Sequence, residues 1–337
     1  MNGPLEMPLA ASPTGEADMR QTIADLYRGV PTRRDPENAD ELMALLRLLY
    51  RVARRDLPLA RLFEGHVDAL QIIARYGDRE QAEAAARIAA GGGAFGVWNA
   101  ALPDEPLRVA DGRLIGGKSF ASGAGILTHA LASADTDSGN RLVLIDLHTS
   151  DPEVDRSWWQ VVGMQRSQTH RVRWAGADQS SFAFIGAVGD YAREPFFSGG
   201  ALRFVACHAG GVAAVFDHVR DHLASTRRAD DPHQAVRLTD LYVAAQSAAA
   251  WVRAAAGTLG DRYHVEHVAS ARVAVAGLAE QAITMAQQAV GAQGMFVSHP
   301  LSAMLTDLMV YLRQPAPDAQ RVRVGRATAE AWLAPDL

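Results

Sequence analysis

The residues of this chain able to do chemistry are few. Its only lysine, Lys118, sits in the glycine-rich DGRLIGGKSFASGAG, and its only cysteine, Cys207, in the apolar FVACHAGG. A lone cysteine excludes an internal disulfide framework and a cysteine-based zinc site. A buried helix face also denies it the partly exposed, activated thiolate that a nucleophile needs. His218 and His222, at i, i+4, could aim two imidazoles at a metal, but no third ligand follows from spacing. No metal is expected, and the pair reads as a solvated face beside Asp217 and Asp221. His264, Glu266 and His267 lack the order of a zinc-protease helix, and Ser298-His299 lacks an acid partner and a nucleophile elbow. Gly91, Gly93 and Gly96 spell a dinucleotide-type glycine pattern, but they follow a helix and lead into a strand, the inverse of what a phosphate-binding turn requires. Glu64 and His66, in ARLFEGHVDAL, are helical residues that could line a pocket as acid or base, and His66 is the catalytic candidate put forward.

The elements that would position these residues follow from the apolar pattern. The chain has 337 residues, 48% of them hydrophobic, and carries 33 basic against 38 acidic residues for a net charge of −5. Arg33-Arg34 and Arg54-Arg55 are too short to form a phosphate-binding patch, so nucleic acid is not an expected partner. No uninterrupted apolar run approaches the roughly 18 to 20 residues needed to span a bilayer, so neither is a membrane. The first twenty residues show no basic stretch followed by an apolar core; they read as a partly ordered arm, and a cytoplasmic location is expected.

Leu42, Leu45, Leu46, Leu49 and Val52 recur at helical spacing, and LPLARLFEGHVDALQIIARYG and GDREQAEAAARIAA continue helical. GGGAFGVWNA breaks that pattern. The runs RLVLIDLH, WWQVVGM, HRVRWAG and SFAFIGAV then read as strands of an antiparallel β barrel or sandwich, because no helices intervene to make the sheet parallel. After FFSGG the helical period returns, with Phe204, Val205, Val212, Phe216 and Val219 on one helix and an Ala-rich pair between Thr239 and Ala292. A last apolar stripe, Leu301 to Leu312, is stopped by Pro315 and Pro317. The expected class is α+β: an N-terminal helical domain (1–93), a middle β domain (94–195) and a C-terminal four-helix-type bundle (196–337).

This order of segments, with three local stretches, resembles the acyl-CoA dehydrogenase family. Phe95-Gly96-Val97-Trp98-Asn99 falls where that family has the strand supporting its flavin ring. GGKSFAS resembles its G-x-K-x-[FW]-[IA]-[ST] strand, with Lys118, Phe120, Ala121 and Ser122 in register. An aromatic there can stack on an isoalloxazine, and a hydroxyl with backbone N–H groups can bond its polar edge. AQQAVGAQGMFVSHP resembles the segment whose glutamine and glycines approach the flavin nucleotide of a neighbouring subunit, which places Gln288, Gly291 and Ala292 at those positions. Arg228, or Arg227, matches the flavin-binding arginine. The resemblance implies Phe95, Val97, Trp98, Phe120, Ala121, Ser122, Arg228, Gln288, Gly291 and Ala292 as cofactor contacts. It also implies FAD ahead of FMN, a homodimer or homotetramer, an acyl-CoA or carrier-bound acyl substrate, and an electron-transfer partner or flavin reductase.

The family's proton-abstracting glutamate falls on Pro315, and the earlier position used by a minority falls near Ala201. Neither residue is a base, and Arg203 nearby cannot act as one. The expected function is therefore a flavin-dependent oxidoreductase of the acyl-CoA dehydrogenase type without that base. Its alternatives are a flavin-dependent monooxygenase of the same fold, which the Gly-Met-Phe-x-Ser-His-Pro-Leu segment also resembles, and a noncatalytic acyl- or flavin-binding homologue.

Overall fold

The computed structural model describes residues 12–30 and 33–335. Its elements are α1 (Glu16–Arg28), α2 (Ala39–Arg55), α3 (Leu57–Tyr76), α4 (Arg79–Ala90), β1 (Phe95–Trp98), β2 (Arg108–Ala110), β3 (Arg113–Ala121), β4 (His129–Thr136), β5 (Gly139–Asp146), β6 (Glu153–Asp155), β7 (His170–Asp178), β8 (Phe182–Ile185), α5 (Phe196–Gly199), α6 (Leu202–Ser225), α7 (Pro232–Gly257), α8 (His264–Val290), α9 (Pro300–Tyr311) and α10 (Pro317–Ala329). The expected N-terminal arm gives way to helix at Glu16, and its first eleven residues lie outside the described residues.

Local chemistry sets several of these boundaries. The Asn38 side chain accepts from Glu41 N–H to start α2, and Asp78 forms a reciprocal capping box with Gln81 at α4. Asp231 caps α7, whose first residue is Pro232, and His299 does the same for α9 ahead of Pro300. Each cap satisfies an N–H group that the first helical turn leaves without an internal partner.

The chain forms two compact units. The first contains the residues up to Pro36, Arg61–Gln160 and Gln165–Phe197; the second contains Glu37–Ala60, Val161–Met164 and Ser198–Leu337. Thus α2, early in sequence, belongs with the C-terminal helices, while α1 and α4 belong with the sheet.

The first unit holds a sheet of eight strands in the order β6-β7-β3-β2-β4-β5-β8, with β1 also on β4. The β3–β7, β4–β5, β5–β8 and β6–β7 pairs are antiparallel, as the strand-after-strand pattern predicts. Two pairings depart from it: β1 and β2 both lie parallel to β4. The connection Asn99–Leu107 and the long excursion through β3 return the chain to β4 in the same direction, so intervening helices are not needed. The strand path runs from β6 to β8 in one sheet between helical regions, the α+β order the sequence predicts. WWQVVGM forms no strand; residues 156–164 are irregular.

The second unit is a helical bundle. Its core joins Leu42 and Leu46 of α2 to Val205, Ala206 and Ala209 of α6, Ala248 and Val252 of α7, and Val268, Ala271 and Val275 of α8. Small residues let these helices approach closely: a Cβ on Gly210 of α6 would stand 2.3 Å from the Tyr50 carbonyl oxygen of α2. The segment Phe196–Ser225 is long and apolar enough by length and composition to cross a membrane, yet 72% of its most apolar window is buried, as in a core helix of a bundle.

Candidate active site

In the first unit the site grows from the end of β3. Pairing between β3 and β7 slips between Lys118 and Ala121, and the irregularity leaves Phe120 with a left-handed φ of 50° and 56% exposed. A bulge of this kind re-aims a side chain out of the ladder. The Phe120 ring meets Trp158 edge-on at 4.8 Å between centroids and Trp159 at 6.3 Å. The Arg171 guanidinium lies over Trp158 at 5.0 Å. The three rings form an aromatic cluster with Phe120 presented outward.

Ser122 follows immediately. Its Oγ accepts a bond from Thr169 Oγ1 at 3.1 Å, and Thr169 is itself bonded to Ser167 Oγ at 2.8 Å. Because the Ser122 oxygen accepts here, its own O–H proton remains available to donate outward. The Ser122 carbonyl takes the indole N–H of Trp98 at 2.9 Å. Trp98 is buried, so its part is to hold the Ser122 backbone from beneath.

The other residues implicated by the sequence lie deeper. Phe95 is fully buried, with its ring stacked on His129 at 4.9 Å, and Ala121 is fully buried in the β3–β7 ladder. Val97 is half-buried and pairs with Leu131. His66 is fully buried as well. Its Nδ1 accepts from Phe95 N–H at 3.0 Å, its Nε2 meets no hydrogen-bond partner, and Tyr27 packs against it edge-on at 4.7 Å. Burial pushes its pKa down to about 3, so the ring is neutral at ordinary pH with its proton on Nε2. His66 thus anchors Phe95 inside the core and has no ligand-facing surface to act from. Glu64 is buried and ion-paired with Arg61 at 2.7 Å.

In the second unit, Gln288, Gly291 and Ala292 sit at the C-terminus of α8, all exposed. Gly291 closes the helix with φ 75° and ψ −159°, a conformation for which glycine is suited, and a 3-10 turn follows through Met295. The Gln288 amide makes no side-chain hydrogen bond among the described residues. Arg228, in the loop between α6 and α7, is exposed and forms no ion pair among the described residues; Arg227 before it has a left-handed φ of 56°. At the two positions where a base was sought, the Pro315 carbonyl receives the Arg272 guanidinium, and Ala201 caps α6. Cys207 is buried with no disulfide.

The structure adds residues that sequence reading passed over. Trp158, Trp159, Arg171 and Thr169 surround Phe120 and Ser122, and the only forward signal was the tryptophan doublet itself. His222, set aside as solvated, meets His299 with Nδ1 and Nε2 at 3.2 Å. No group of three ligating side chains suited to a metal occurs among the described residues.

Comparison with known proteins agrees with this architecture. Residues 190–312 match the family model for the acyl-CoA dehydrogenase C-terminal domain. Glutaryl-CoA dehydrogenase from Mycobacterium smegmatis superposes with a TM-score of 0.77 at 15% identity, over 93% of this chain and 87% of that one. FMN-bound TdsC from Paenibacillus sp. A11-2 gives 0.74 at 16% identity, over 94% and 97%; another TdsC structure is described as a dibenzothiophene monooxygenase. KijD3 in complex with FMN and a dTDP-linked keto sugar gives 0.71 at 20% identity, over 88% and 81%. No curated protein matches the sequence. The chain has the acyl-CoA dehydrogenase fold, a fold whose solved members here include both dehydrogenases and monooxygenases.

Proposed function

We propose that this protein is a flavin-dependent oxidoreductase that works in the monooxygenase manner, taking electrons from reduced flavin and using oxygen on an organic substrate. The flavin part of the reading is carried by the arrangement at the end of β3, an outward aromatic, Phe120, beside a hydroxyl, Ser122, that accepts from Thr169, and the oxygenase part by Pro315 and Ala201 at the two places where the family resemblance puts a dehydrogenase base. Those residues fit an isoalloxazine. Phe120 offers a ring to pack on, Ser122 a donor for a ring nitrogen, and the Trp158 and Trp159 pair an apolar wall that excludes water. A bound flavin would supply the redox chemistry, and the protein's part is to hold it, orient it and shield it. Gln288, Gly291 and Arg228 offer an exposed amide, backbone and guanidinium suited to a flavin's phosphate-bearing tail.

Dehydrogenation of an acyl thioester is the second reading, favoured by the fold. It needs a carboxylate to remove the α proton, and proline and alanine stand at the two places that would provide it. Loss of such a base costs about 10²–10⁴-fold in rate. FAD remains the first cofactor choice with FMN second, and a homo-oligomer, a cytoplasmic location and a flavin reductase belong to the same proposal.

The test begins with the absorbance spectrum of the purified protein and the mass of any flavin released on denaturation. Anaerobic addition of acyl-CoA thioesters should leave the flavin oxidised, whereas enzymatic reduction followed by air should consume oxygen with an oxygenated product. Bleaching by an acyl-CoA would establish dehydrogenation instead. A colourless protein that takes up neither FAD nor FMN would defeat both.

A further inference from the structure

The first unit holds a cavity of about 350 Å³ that the flavin reading does not use. Its polar floor is Lys118, Ser133 and Asn99, its wall includes Leu107 and Phe197, and Asp135 is exposed at its edge. Lys118 is 3% exposed and makes no direct ion pair among the described residues. Its ammonium donates to Ser133 Oγ at 2.9 Å and, at 3.4 Å, to the Asn99 carbonyl. Ser133 passes its own proton to Asn99 Oδ1 at 2.6 Å. The count leaves one Lys118 N–H and the NH₂ of the exposed Asn99 without an acceptor among the described residues, on groups that line one cavity.

A buried ammonium without an anion is costly, and burial here lowers the Lys118 pKa to about 8, which still leaves it mostly protonated near neutrality. The Asp135 charge offsets part of that cost from a distance, but its carboxylate accepts from Asn140 at 2.9 Å and does not reach Lys118 as a direct ion pair. We infer that this cavity binds a small organic monocarboxylate, its carboxylate received by Lys118 and Asn99 and its apolar body lying against Leu107 and Phe197. A volume of this order suits a ligand the size of benzoate. The Asp135 charge opposes a dianion about twice as strongly as a monoanion, which disfavours the doubly charged form of inorganic phosphate more than a monocarboxylate.

The test is isothermal titration of the flavin-loaded protein with sodium benzoate, benzamide and inorganic phosphate at neutral pH. Saturable benzoate binding is expected, with benzamide and phosphate weaker by about tenfold or more. Asn99→Asp, which places a carboxylate beside the ammonium, should weaken benzoate to a similar degree. Lys118→Met should abolish its binding; if that variant fails to fold, Asn99→Asp carries the test. Because Lys118 is the only lysine, amine acetylation followed by peptide mass spectrometry reads this site alone within the chain, and benzoate should slow it. The inference is overturned by the absence of saturable benzoate binding, by benzamide or phosphate binding as well as benzoate, by an unchanged Asn99→Asp, or by benzoate binding that leaves Lys118 acetylation unchanged. None of these readouts depends on turnover.

Discussion

The two stretches that most resemble flavin-binding segments are built in opposite ways. At the end of β3, Phe120 and Ser122 are held from several sides, by Trp158 and Trp159, by the Thr169–Ser167 hydroxyl pair, and by the indole N–H of buried Trp98. At the end of α8, Gln288, Gly291 and Ala292 are exposed, and no side chain among the described residues holds the Gln288 amide. The first is preorganised by one protomer's core. The second has geometry fixed only by its backbone. Damage to the buried supports of the first should therefore be felt in folding as well as binding, and damage to the second in binding alone.

The largest test of that contrast is Trp98→Ala. Emptying a buried indole site and leaving the Ser122 carbonyl without its donor should cost about 3–5 kcal/mol in urea unfolding, with flavin binding lost alongside. Unchanged stability would break the claim that the core builds the β3 site. Acid titration probes the same core. The folded pKa of His66, about 3, lies below its unfolded value, so its stabilisation is complete above about pH 6.5 and declines as pH falls toward 3. The slope is at most about 1.4 kcal/mol per pH unit, and His66→Phe, if it folds, should flatten it.

Phe120→Ala should loosen flavin by about 0.5–1.5 kcal/mol, seen in fluorescence titration, with little change in unfolding because the ring is mostly exposed. Gln288→Ala should weaken flavin retention by about 0.5–1.5 kcal/mol, with unfolding midpoints unmoved. If Gln288→Ala lowers stability as Trp98→Ala does, the two sites are not built differently.

Much of the scaffold was legible in the sequence because helices announce themselves locally. The buried stripe Leu42, Leu45, Leu46, Leu49 and Val52 and the proline stop after Leu312 each act within a few residues. The sheet was legible as strands but not as pairings, since the parallel β1–β4 contact joins segments 34 residues apart at Phe95 and His129. The run WWQVVGM misleads for a related reason: a short apolar run has no period that separates strand from loop. Phe120 and Ser122 could be proposed from residue type, whereas the aromatic and hydroxyl neighbours around them are products of the fold. So is the partnership of His222 with His299, set 77 positions apart.

That histidine contact has a direction. Leu301 N–H donates to His299 Nδ1, so the neutral His299 ring carries its proton on Nε2 and passes it toward His222 Nδ1, which leaves the His222 proton on a buried Nε2 with no acceptor. Each ring's tautomer is dictated by the one before it, beginning at the cap of α9. A nitrogen separation of 3.2 Å would also suit two ligands of one zinc ion, but a metal on His299 Nε2 would ask Nδ1 to carry the proton that Leu301 now prevents. The helix cap thereby works as a chemical lock, keeping this pair of imidazoles a proton-ordered link in the bundle and a poor place for a metal.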